Sequence, residues 1–598
     1  MRRTVARLRS EVVRALMGAR TSQGYWEGEL ASSALATATA LVALEYGGRH
    51  GLVTVGDLDD RLCRAIAWLL DDQNDDGSWG DAPGCRGNIA ATYLVAGALS
   101  PYRSSNSSVR AACERAFAYL QASGGLDALA ARYGNDRTFV VPILTFLASR
   151  GLVDWAQVPR LPFELGILPH WLLRRFNVGV VSYALPALIA IGYAVARNRG
   201  SSWLRRSAWP VLVPMALRRL ERIQPESGGY LEAVPLTAFV TISLLHAKRG
   251  HSPVVRRALG FLLQLQRADG SWPVDANLSC WLTSLSLQAV QLDPSVAEQV
   301  GETAVRSAVD WLLEQQCRVR HPYTDAAPGG WGWSHLSGSV PDVDDTSSAL
   351  LALWPHANRS EVLRAGDAGV RWLLGVQNRD GGWPTFCKGW GWLPFDRSAP
   401  DLTAHAVRAI AAWLPRLPAR LRRLAGRALA RGLAYFRANQ QSDGAFIPLW
   451  FGNEQHPREE NPVYGTARVV VCYNELGGAG RLGAQDREAA KRAVSWLVRC
   501  RNRDGSWGGG PGLIGTTEET ALALAALAPR SELSDDWFEP TVRWIEERMA
   551  AGTWDRPAPI GLYFAKLWYF ERLYPIIFLA TALAALGRRL RVEQEEPV

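Results

Sequence analysis

The sequence predicts an all-α protein made of repeated helical hairpins, and three observations carry this prediction. A motif of an apolar helical run, Gln, an Asp-Gly turn and an aromatic residue recurs along the 598 residues, with clear copies ending at Trp79, Trp272 and Trp383. Between the copies lie segments such as TTEETALALAALAP, in which capping residues precede an Ala/Leu-rich run. The longest apolar stretches have about 11 residues, well short of the ~20 that a membrane-spanning helix needs.

Each part of the repeat has a physical role in this prediction. The apolar run is a helix end, and the turn glycine can take the positive φ that stops a helix. The aromatic residue then packs back beside the Gln, whose amide can bond free backbone groups at the helix end. From the third clear copy onward the turn glycines are spaced by 60, 51, 63 and 61 residues, at Gly270, Gly330, Gly381, Gly444 and Gly505. Each unit therefore holds about two helices, and stacked units bury a shared core.

Several copies depart from the pattern. Tyr230 and Phe446 replace the Trp in their copies, and Arg501 stands where Gln is expected before Trp507. The strings GYW (24–26) and AAGTW (550–554) resemble degenerate terminal copies. The chain has 25 Trp, more than its 16 Phe or 16 Tyr. So many indoles indicate either that a Trp fills the same structural position in each repeat or that many of them line a large aromatic cavity.

Composition and charge exclude several classes of protein. With 21% charged and 48% hydrophobic residues, the chain is globular and not disordered. The net charge of +9 is mild for this length, and no nucleic-acid motif accompanies it, so no nucleic-acid partner is expected. The eight cysteines are scattered without a CxxC pair, so we expect no disulfide framework, no metal and no cofactor. The basic N-terminus lacks the continuous apolar region of a secretory signal.

The segment PDVDDTSSALLAL gathers the carboxyl groups of Asp342, Asp344 and Asp345. Protonating an unactivated alkene demands a stronger acid than a solvated carboxylic acid. Crowding and burial keep at least one carboxyl of such a cluster protonated at neutral pH, and the cluster titrates as a unit. Acidic residues before an Ala/Leu helix also serve as simple N-terminal caps. The motif alone therefore leaves an acid catalyst and a helix cap both open.

Together, the repeats and the DxDD motif resemble the squalene–hopene and oxidosqualene cyclases across nearly the whole chain. This resemblance implies two α/α barrels without a metal or cofactor. One barrel would comprise residues 31–295, and the catalytic barrel residues 296–598, completed by the segment 1–30. The implied activity is that of an isomerase, a class II terpene cyclase that closes a linear polyprene into a hopanoid-like or other polycyclic terpenoid.

The resemblance also assigns roles to catalytic residues. It makes Asp344, the middle acid of the motif, the proton donor, flanked by Asp342 and Asp345. The segment DLTAH (401–405) is similar to the family's Asp-x-Thr-Ala-His segment, whose His bonds the donor and raises its acidity, which implies this role for His405. Tyr464, in NPVYGTA, matches a family Tyr that holds a water near the donor for reprotonation.

Cyclisation through carbocations requires a dry cavity with aromatic faces. The candidates for this substrate-binding wall are Tyr183, Trp281, Trp331, Trp333, Phe570 and Tyr574. The sequence also departs from hopene cyclases, because Leu282 stands where Asp is usual and Arg458 lies near the position of a family Trp. These departures suggest a remodelled wall. Squalene is therefore the default substrate, and a different polyprene or a prenylated arene is the alternative.

The family docks on one face of a membrane, and the segment 197–222 suits that role. It combines Arg residues with exposed apolar positions around Trp203 and Trp209, as in a helix that lies in the membrane interface. A buried amphipathic helix is the alternative interpretation. The resemblance thus implies a peripheral, monotopic protein at the cytoplasmic face of a membrane, and a homodimer is a further expectation.

Three rival functions fit the sequence less well. A protein prenyltransferase β-subunit needs one barrel and an Asp/Cys/His zinc set, which is not apparent here. A non-catalytic isoprenoid-binding homologue would not need the intact DxDD motif and His405. A diphosphate-bearing diterpene substrate is disfavoured because no matching basic pocket motif is evident.

Overall fold

The computed structural model describes residues 1–53, 56–134, 137–169, 172, 184–200, 207–386, 394–449, 451–562 and 566–592. Helices dominate these ranges, which confirms the predicted all-α class. The helices up to residue 265 are α1 (Arg2–Gly18), α2 (Ala34–Arg49), α3 (Leu58–Asp71), α4 (Ile89–Leu99), α5 (Ser107–Ala122), α6 (Gly125–Tyr133), α7 (Arg137–Ser149), α8 (Leu185–Arg199), α9 (Trp209–Ile223), α10 (Val234–His246) and α11 (Pro253–Leu265).

A second series of helices begins at Ser279 and alternates between inner and outer positions. These helices are α12 (Ser279–Gln291), α13 (Pro294–Val300), α14 (Glu302–Glu314), α15 (Val343–Leu353), α16 (Ser360–Val376), α17 (Pro400–Trp413), α18 (Ala419–Asn439), α19 (Pro462–Gly478), α20 (Ala484–Arg499), α21 (Thr517–Leu527), α22 (Glu539–Ala550) and α23 (Tyr574–Val592). In the inner ring α12, α15, α17, α19, α21 and α23 each pack against the next, and α23 returns to α12. This closed ring of helices is an α/α barrel.

The helices enclose two large hydrophobic cores, one in each half of the chain. Residues of α2 to α11 form the first core, and residues of α12 to α23 form the second. Helix α1 belongs to the second core, because Leu8 and Leu16 are fully buried there and α1 packs along α23. The two-barrel architecture is thus as predicted, while the boundaries at residues 30 and 295 stay predictions.

The repeat motif works through three sets of hydrogen bonds. The indole Nε1 of Trp383 donates to the carbonyl of Leu373 at 2.9 Å, and the same bond recurs from Trp79 and Trp272. The backbone N–H of Trp383 donates to Thr403 Oγ1, at 3.1 Å, on the next inner helix. The amide of Gln377 donates to two backbone carbonyls, those of Gly381 and Ala428, at 2.8 and 3.0 Å. The predicted bonding of the Gln amide to backbone groups at the helix end is confirmed.

The turn glycines have the predicted backbone conformation. Gly381 has a φ of +96°, and Gly77, Gly270, Gly444 and Gly505 are also left-handed. In the copy that ends at Trp331 the left-handed residue is Gly329 and not the predicted Gly330, because the turn begins one residue earlier there. A Cβ on Gly381 would lie 2.5 Å from the carbonyl oxygen of Arg431. Glycine is therefore required there both by the backbone angle and by the close approach of the neighbouring outer helix.

One small antiparallel sheet interrupts the helical architecture. Strand β1 (Phe451–Gly452) pairs with β2 (Ile560–Leu562), which pairs with β3 (Leu567–Tyr569). Phe451 lies opposite Leu562, and Ile560 lies opposite Tyr569. The sheet places Phe451 and Tyr569 beside the large internal cavity.

Helix α9 covers most of the described part of the segment 197–222. It buries Val213, Ala216, Leu220 and Ile223, whereas Val211 is 65% exposed. One face is therefore packed and part of the other carries exposed apolar side chains. Trp203, Arg205 and Arg206 lie outside the described residues. Throughout the described ranges, we find no helix with both the length and the apolar character needed to cross a bilayer.

Candidate active site

The DxDD motif opens the inner helix α15 and is fixed by the repeat that precedes it. Asp342 is the N-cap, and its Oδ1 accepts a 2.8 Å bond from the N–H of Asp345. The N–H of Asp342 donates to the carbonyl of Trp331 at 3.0 Å, and Trp331 in turn donates its own N–H to Thr346 Oγ1 at 3.0 Å. The motif thus caps the helix and, at the same time, is held by the structural repeat.

Burial raises the pKa of the two outer carboxyls, those of Asp342 and Asp345. Desolvation, with the charge of Asp344 as a further cause, raises the pKa of Asp342 to about 7, although hydrogen bonds from Asp345 oppose the shift. The pKa of Asp345 is raised well above its usual value, first by burial and then by Asp342. Oδ1 of Asp345 is buried and has no hydrogen-bond partner among the described residues. The cluster therefore retains protons near neutral pH.

Asp344 faces the other way and contacts the histidine of α17. Its Oδ1 lies 2.6 Å from Nδ1 of His405, which is buried. Burial lowers the pKa of His405, and the charge of Asp344 opposes this shift. The ring of Trp281 lies 6.0 Å from the imidazole, centroid to centroid. The structure thus joins three residues that are distant in sequence, Asp344, His405 and Trp281.

Tyr464 lies on α19 behind the cavity wall. Its ring packs edge-on against Phe451 at 4.5 Å between centroids, and the guanidinium of Arg468 lies 5.0 Å from the ring centroid. Burial raises the pKa of Tyr464 well above its usual value, and the nearby Asp344 adds to this shift. Arg468 also packs against Phe578. The role of Tyr464 in reprotonation stays a prediction.

The three acids line one end of a largely apolar cavity of about 320 Å³. Its aromatic lining consists of Tyr133, Phe139, Trp281, Trp333, Phe386, Phe395, Phe451, Tyr569 and Tyr574. Trp281 and Tyr574 are joined by a 3.1 Å bond from the indole Nε1 to the phenol oxygen. Three of the six predicted wall residues, Trp281, Trp333 and Tyr574, therefore lie where the sequence analysis expects them.

Of the other three predicted wall residues, Trp331 and Phe570 are described and do not line the cavity. Trp331 is fully buried and donates its indole N–H to the carbonyl of Leu312 at 2.8 Å, because it is the repeat tryptophan. Phe570 packs in a separate small cluster with Trp568, and its neighbour Tyr569 lines the cavity instead. Tyr183 lies outside the described residues.

The cavity wall also contains residues that are not among the predicted ones, namely Asp275, Phe386, Phe395, Phe451 and Tyr569. A positional signal exists for some of them, because Phe386 follows the repeat Trp383 by three residues and Asp275 follows Trp272 by three. Segments between the repeat aromatic and the next inner helix thus supply wall residues. In the described ranges no group of three or more His, Cys, Asp or Glu side chains could hold a metal ion.

Comparison with known proteins places this architecture in a family. Residues 277–588 match the model of the squalene-hopene cyclase C-terminal domain, and residues 10–185 match that of the N-terminal domain. The chain is 24% identical over 667 residues to a squalene–hopene cyclase of Alicyclobacillus acidocaldarius, covering 98% of both chains.

Two fungal proteins are similar over only part of their length. The chain is 28% identical to a terpene cyclase–glycosyl transferase fusion protein of Humicola fuscoatra and 27% identical to enfumafungin synthase of Hormonema carpetanum. These alignments cover 95% and 92% of this chain, but only 48% and 46% of those relatives. The chain therefore spans about half the length of these two relatives.

Among solved structures, an ent-copalyl diphosphate synthase from Streptomyces platensis is similar with a TM-score of 0.59 and 19% identity. The match covers 98% of this chain and 99% of that one and shows a shared fold. With both halves of the chain matched by the domain models and the DxDD motif and His405 in contact, the chain belongs to the squalene–hopene cyclase family.

Proposed function

We propose that this protein is a class II terpene cyclase that protonates a terminal alkene of a linear polyprene through Asp344. The observation that carries the proposal is the 2.6 Å contact between Asp344 and His405 at the end of an aromatic-lined cavity. Squalene is the default substrate, and the product is a hopanoid-like or other polycyclic terpenoid. A different polyprene or a prenylated arene is the alternative substrate.

The proposed reaction starts with proton transfer from Asp344. His405 donates its Nδ1–H to Oδ1, and the proton on Oδ2 moves to the alkene carbon. The O–H bond breaks and its electrons stay on the carboxylate, while a C–H bond forms and leaves a tertiary cation. The hydrogen bond from His405 strengthens as negative charge develops on Asp344, which is the condition for lowering a barrier.

Ring closure then consumes the remaining alkenes one after another. Each alkene donates its electron pair to the cation to form a C–C bond, so the positive charge moves along the chain. Aromatic faces such as those of Trp281, Trp333 and Phe386 stabilise the charge without bonding to it. Loss of a proton from the last cation returns an isomer of the substrate, and capture of water gives an alcohol.

The first experiment incubates the purified protein in detergent with squalene and reads the extract by gas chromatography–mass spectrometry. We expect a new isomer or hydrate from the wild type. In Asp344→Asn the rate should fall by about 10²–10⁴-fold, the usual contribution of a general acid. The exposed Asp59 offers a matched control, Asp59→Asn, with unchanged product. Equal product from Asp344→Asn would contradict the role of Asp344.

We also propose that the protein docks peripherally on the cytoplasmic face of a membrane, where polyprenes dissolve. The exposed Val211 and Met215 on α9 support this proposal, since they are 65% and 40% exposed beside basic residues. The variant Val211→Glu/Met215→Glu should sediment less with anionic lipid vesicles than the wild type. Unchanged sedimentation would overturn the role of α9.

A homodimer remains a separate proposal. The molar mass from light scattering tests it.

A further inference from the structure

The apolar cavity that contains Asp344 also reaches Lys566, the residue directly before β3. This lysine has no place in the proposed protonation or ring closure. An ammonium group is an unusual member of a wall that must hold a hydrocarbon and a migrating cation, because it repels the cation and attracts water. The ammonium group of Lys566 therefore needs a polar partner.

A second, polar pocket of about 470 Å³ lies between the two barrels. Arg86 and Arg132 come from the first barrel, and Glu459, Lys566 and Trp568 come from the second. Lys566 lines both spaces. The apolar cavity and the polar pocket therefore meet at this side chain.

A bridging carboxylate holds the junction together. The two oxygens of Glu459 lie 3.3 Å from Arg132 Nη1 and 3.3 Å from Lys566 Nζ. Arg132 also donates from Nη2 to the carbonyl of Lys566 at 3.1 Å. The Lys566 side chain is 34% exposed, and its 3.3 Å ion pair with Glu459 therefore contributes little stability. An oxygen of a ligand can therefore take the place of one of these contacts at low cost.

The backbone at this junction is unusual. Glu459 has a φ of +60° and Lys566 a φ of +48°, both in the left-handed region that residues with a Cβ rarely adopt. The two residues are joined in one ion pair although they are more than 100 positions apart in the chain. Backbone conformations of this kind persist where the surroundings enforce them, and they cluster at ligand clamps.

A further cation lies at the same pocket. Arg458 lines it and pairs with Glu460 at 2.9 Å. A hydrocarbon such as squalene has no group that could use this pocket. In a polyprene that ends in a hydrogen-bonding oxygen, the hydrocarbon chain suits the apolar cavity and the oxygen suits the polar pocket.

We propose that the substrate is a polyprene with an oxygen-bearing head group, a carboxyl or a hydroxyl, bound by Lys566 and Arg132 in the polar pocket. Its chain extends through the apolar cavity to Asp344. The pocket also contains Glu454 and Glu459, beside the basic side chains of Arg86, Arg132, Arg458 and Lys566. This inference rests on the proposed function, because it uses the same cavity and the same acid, and it narrows the substrate class.

The test compares substrates that differ only in the head group. The probes are geranylgeranoic acid, geranylgeraniol and the hydrocarbon of equal length with a methyl group in place of the carboxyl, and kcat/KM is read from the cyclised products. We expect the wild type to prefer an oxygenated probe by about tenfold or more, which corresponds to about 1.4 kcal/mol. Lys566→Met should remove most of this preference through KM, and Lys566→Arg should retain it. Lys491→Met, on the exposed face of α20, is the matched control.

The outcomes separate the two proposals. Equal kcat/KM for the three probes overturns the head-group site, while cyclisation that disappears in Asp344→Asn leaves the proposed function standing. If Lys566→Met changes only the amount of labelled oxygen that the product takes up from water, the pocket holds water and not a head group. This result would overturn the inference. No cyclisation of these probes or of squalene would contradict both. Tryptophan quenching in Asp344→Asn measures binding without turnover, and tighter binding of the hydrocarbon than of the acid would also overturn the head-group site.

Discussion

At the scale of single residues, the three carboxyls of the DxDD motif have different surroundings. All three line the cavity, but Asp342 accepts a bond from the N–H of Asp345, while Asp344 contacts His405. The helix-cap and acid-catalyst interpretations of the motif are both compatible with this arrangement, because Asp342 caps α15 while Asp344 faces the cavity. Each acid can therefore be altered with a separate expected effect.

Asp342 should make stability depend on pH. Its pKa is raised by burial to about 7 in the folded protein, against about 3.9 in an unfolded chain. Between these values the folded state holds a proton that the unfolded state has released, so stability falls as the pH rises from about 4 to 7. Asp342→Asn keeps the capping oxygen and should reduce this fall, by on the order of 3–4 kcal/mol.

The measurement is thermal unfolding at a series of pH values. The wild type should lose more of its unfolding temperature between pH 4 and 7 than Asp342→Asn. The Asp59→Asn variant on the exposed face of α3 should follow the wild type. Parallel curves for the wild type and Asp342→Asn would show that Asp342 is ionised in the folded protein.

His405 should act on kcat more than on KM. Phenylalanine in its place keeps an aromatic ring beside Trp281 but removes the donor to Asp344. We expect His405→Phe to lower kcat by about 10²-fold, since hydrogen bonds that strengthen in the transition state contribute on this order. Steady-state product formation checks this, with His251→Phe, an exposed position, as the control. A raised KM with unchanged kcat would instead indicate a packing role.

At the scale of secondary-structure elements, the repeat glutamine joins one helix end to the next outer helix. The buried amide of Gln377 satisfies the carbonyls of Gly381 and Ala428. Gln377→Ala should cost about 1–3 kcal/mol, because both carbonyls lose a buried partner. Thermal unfolding detects the change, and Gln441→Ala, at an exposed turn position, should leave the midpoint unchanged. Equal midpoints for the two variants would show that water replaces the amide.

The helices and turns were predictable because each repeat contains both the apolar run that ends a helix and the Asp-Gly turn that follows it. Even the degenerate GYW copy behaves as a full repeat, since Trp26 donates its indole N–H to the carbonyl of Leu16 and its backbone N–H to Thr283 Oγ1. The short sheet was not predictable, because its strands have only two or three residues each. Strands this short leave no alternating pattern to recognise.

The same sheet explains the error at Phe570. Side chains along an extended strand alternate between the two faces. Leu567 and Tyr569 face the cavity, so Trp568 and Phe570 face a separate cluster. A wall residue that is assigned one position too far along the strand therefore has its side chain on the opposite face. At Trp331 the error has a different origin, because repeat and cavity tryptophans alternate in GGWGW and nothing local separates them.

At the scale of the whole molecule, α1 should stabilise the second barrel although it is the first helix of the chain. Leu8 is fully buried in the second core. Leu8→Ala should lower stability by about 2–4 kcal/mol, as large-to-small changes in a core do. Calorimetry would show the lower unfolding temperature, and the exposed Arg3→Ala should not show it. An unchanged midpoint for Leu8→Ala would mean that the second barrel is stable without α1.

The position of α1 also has a consequence for biogenesis. Leu30 still belongs to the second core, residues of α2 to α11 form the first core, and Val274 belongs to the second core again. The first barrel is therefore one insertion between α1 and α12. The partner of α1, the helix α23, begins only at Tyr574. The ribosome adds about 5–20 residues per second. The helix α1 is therefore synthesised about half a minute to two minutes before α23. During that interval α1 lacks the helix that buries its apolar side chains in the folded protein.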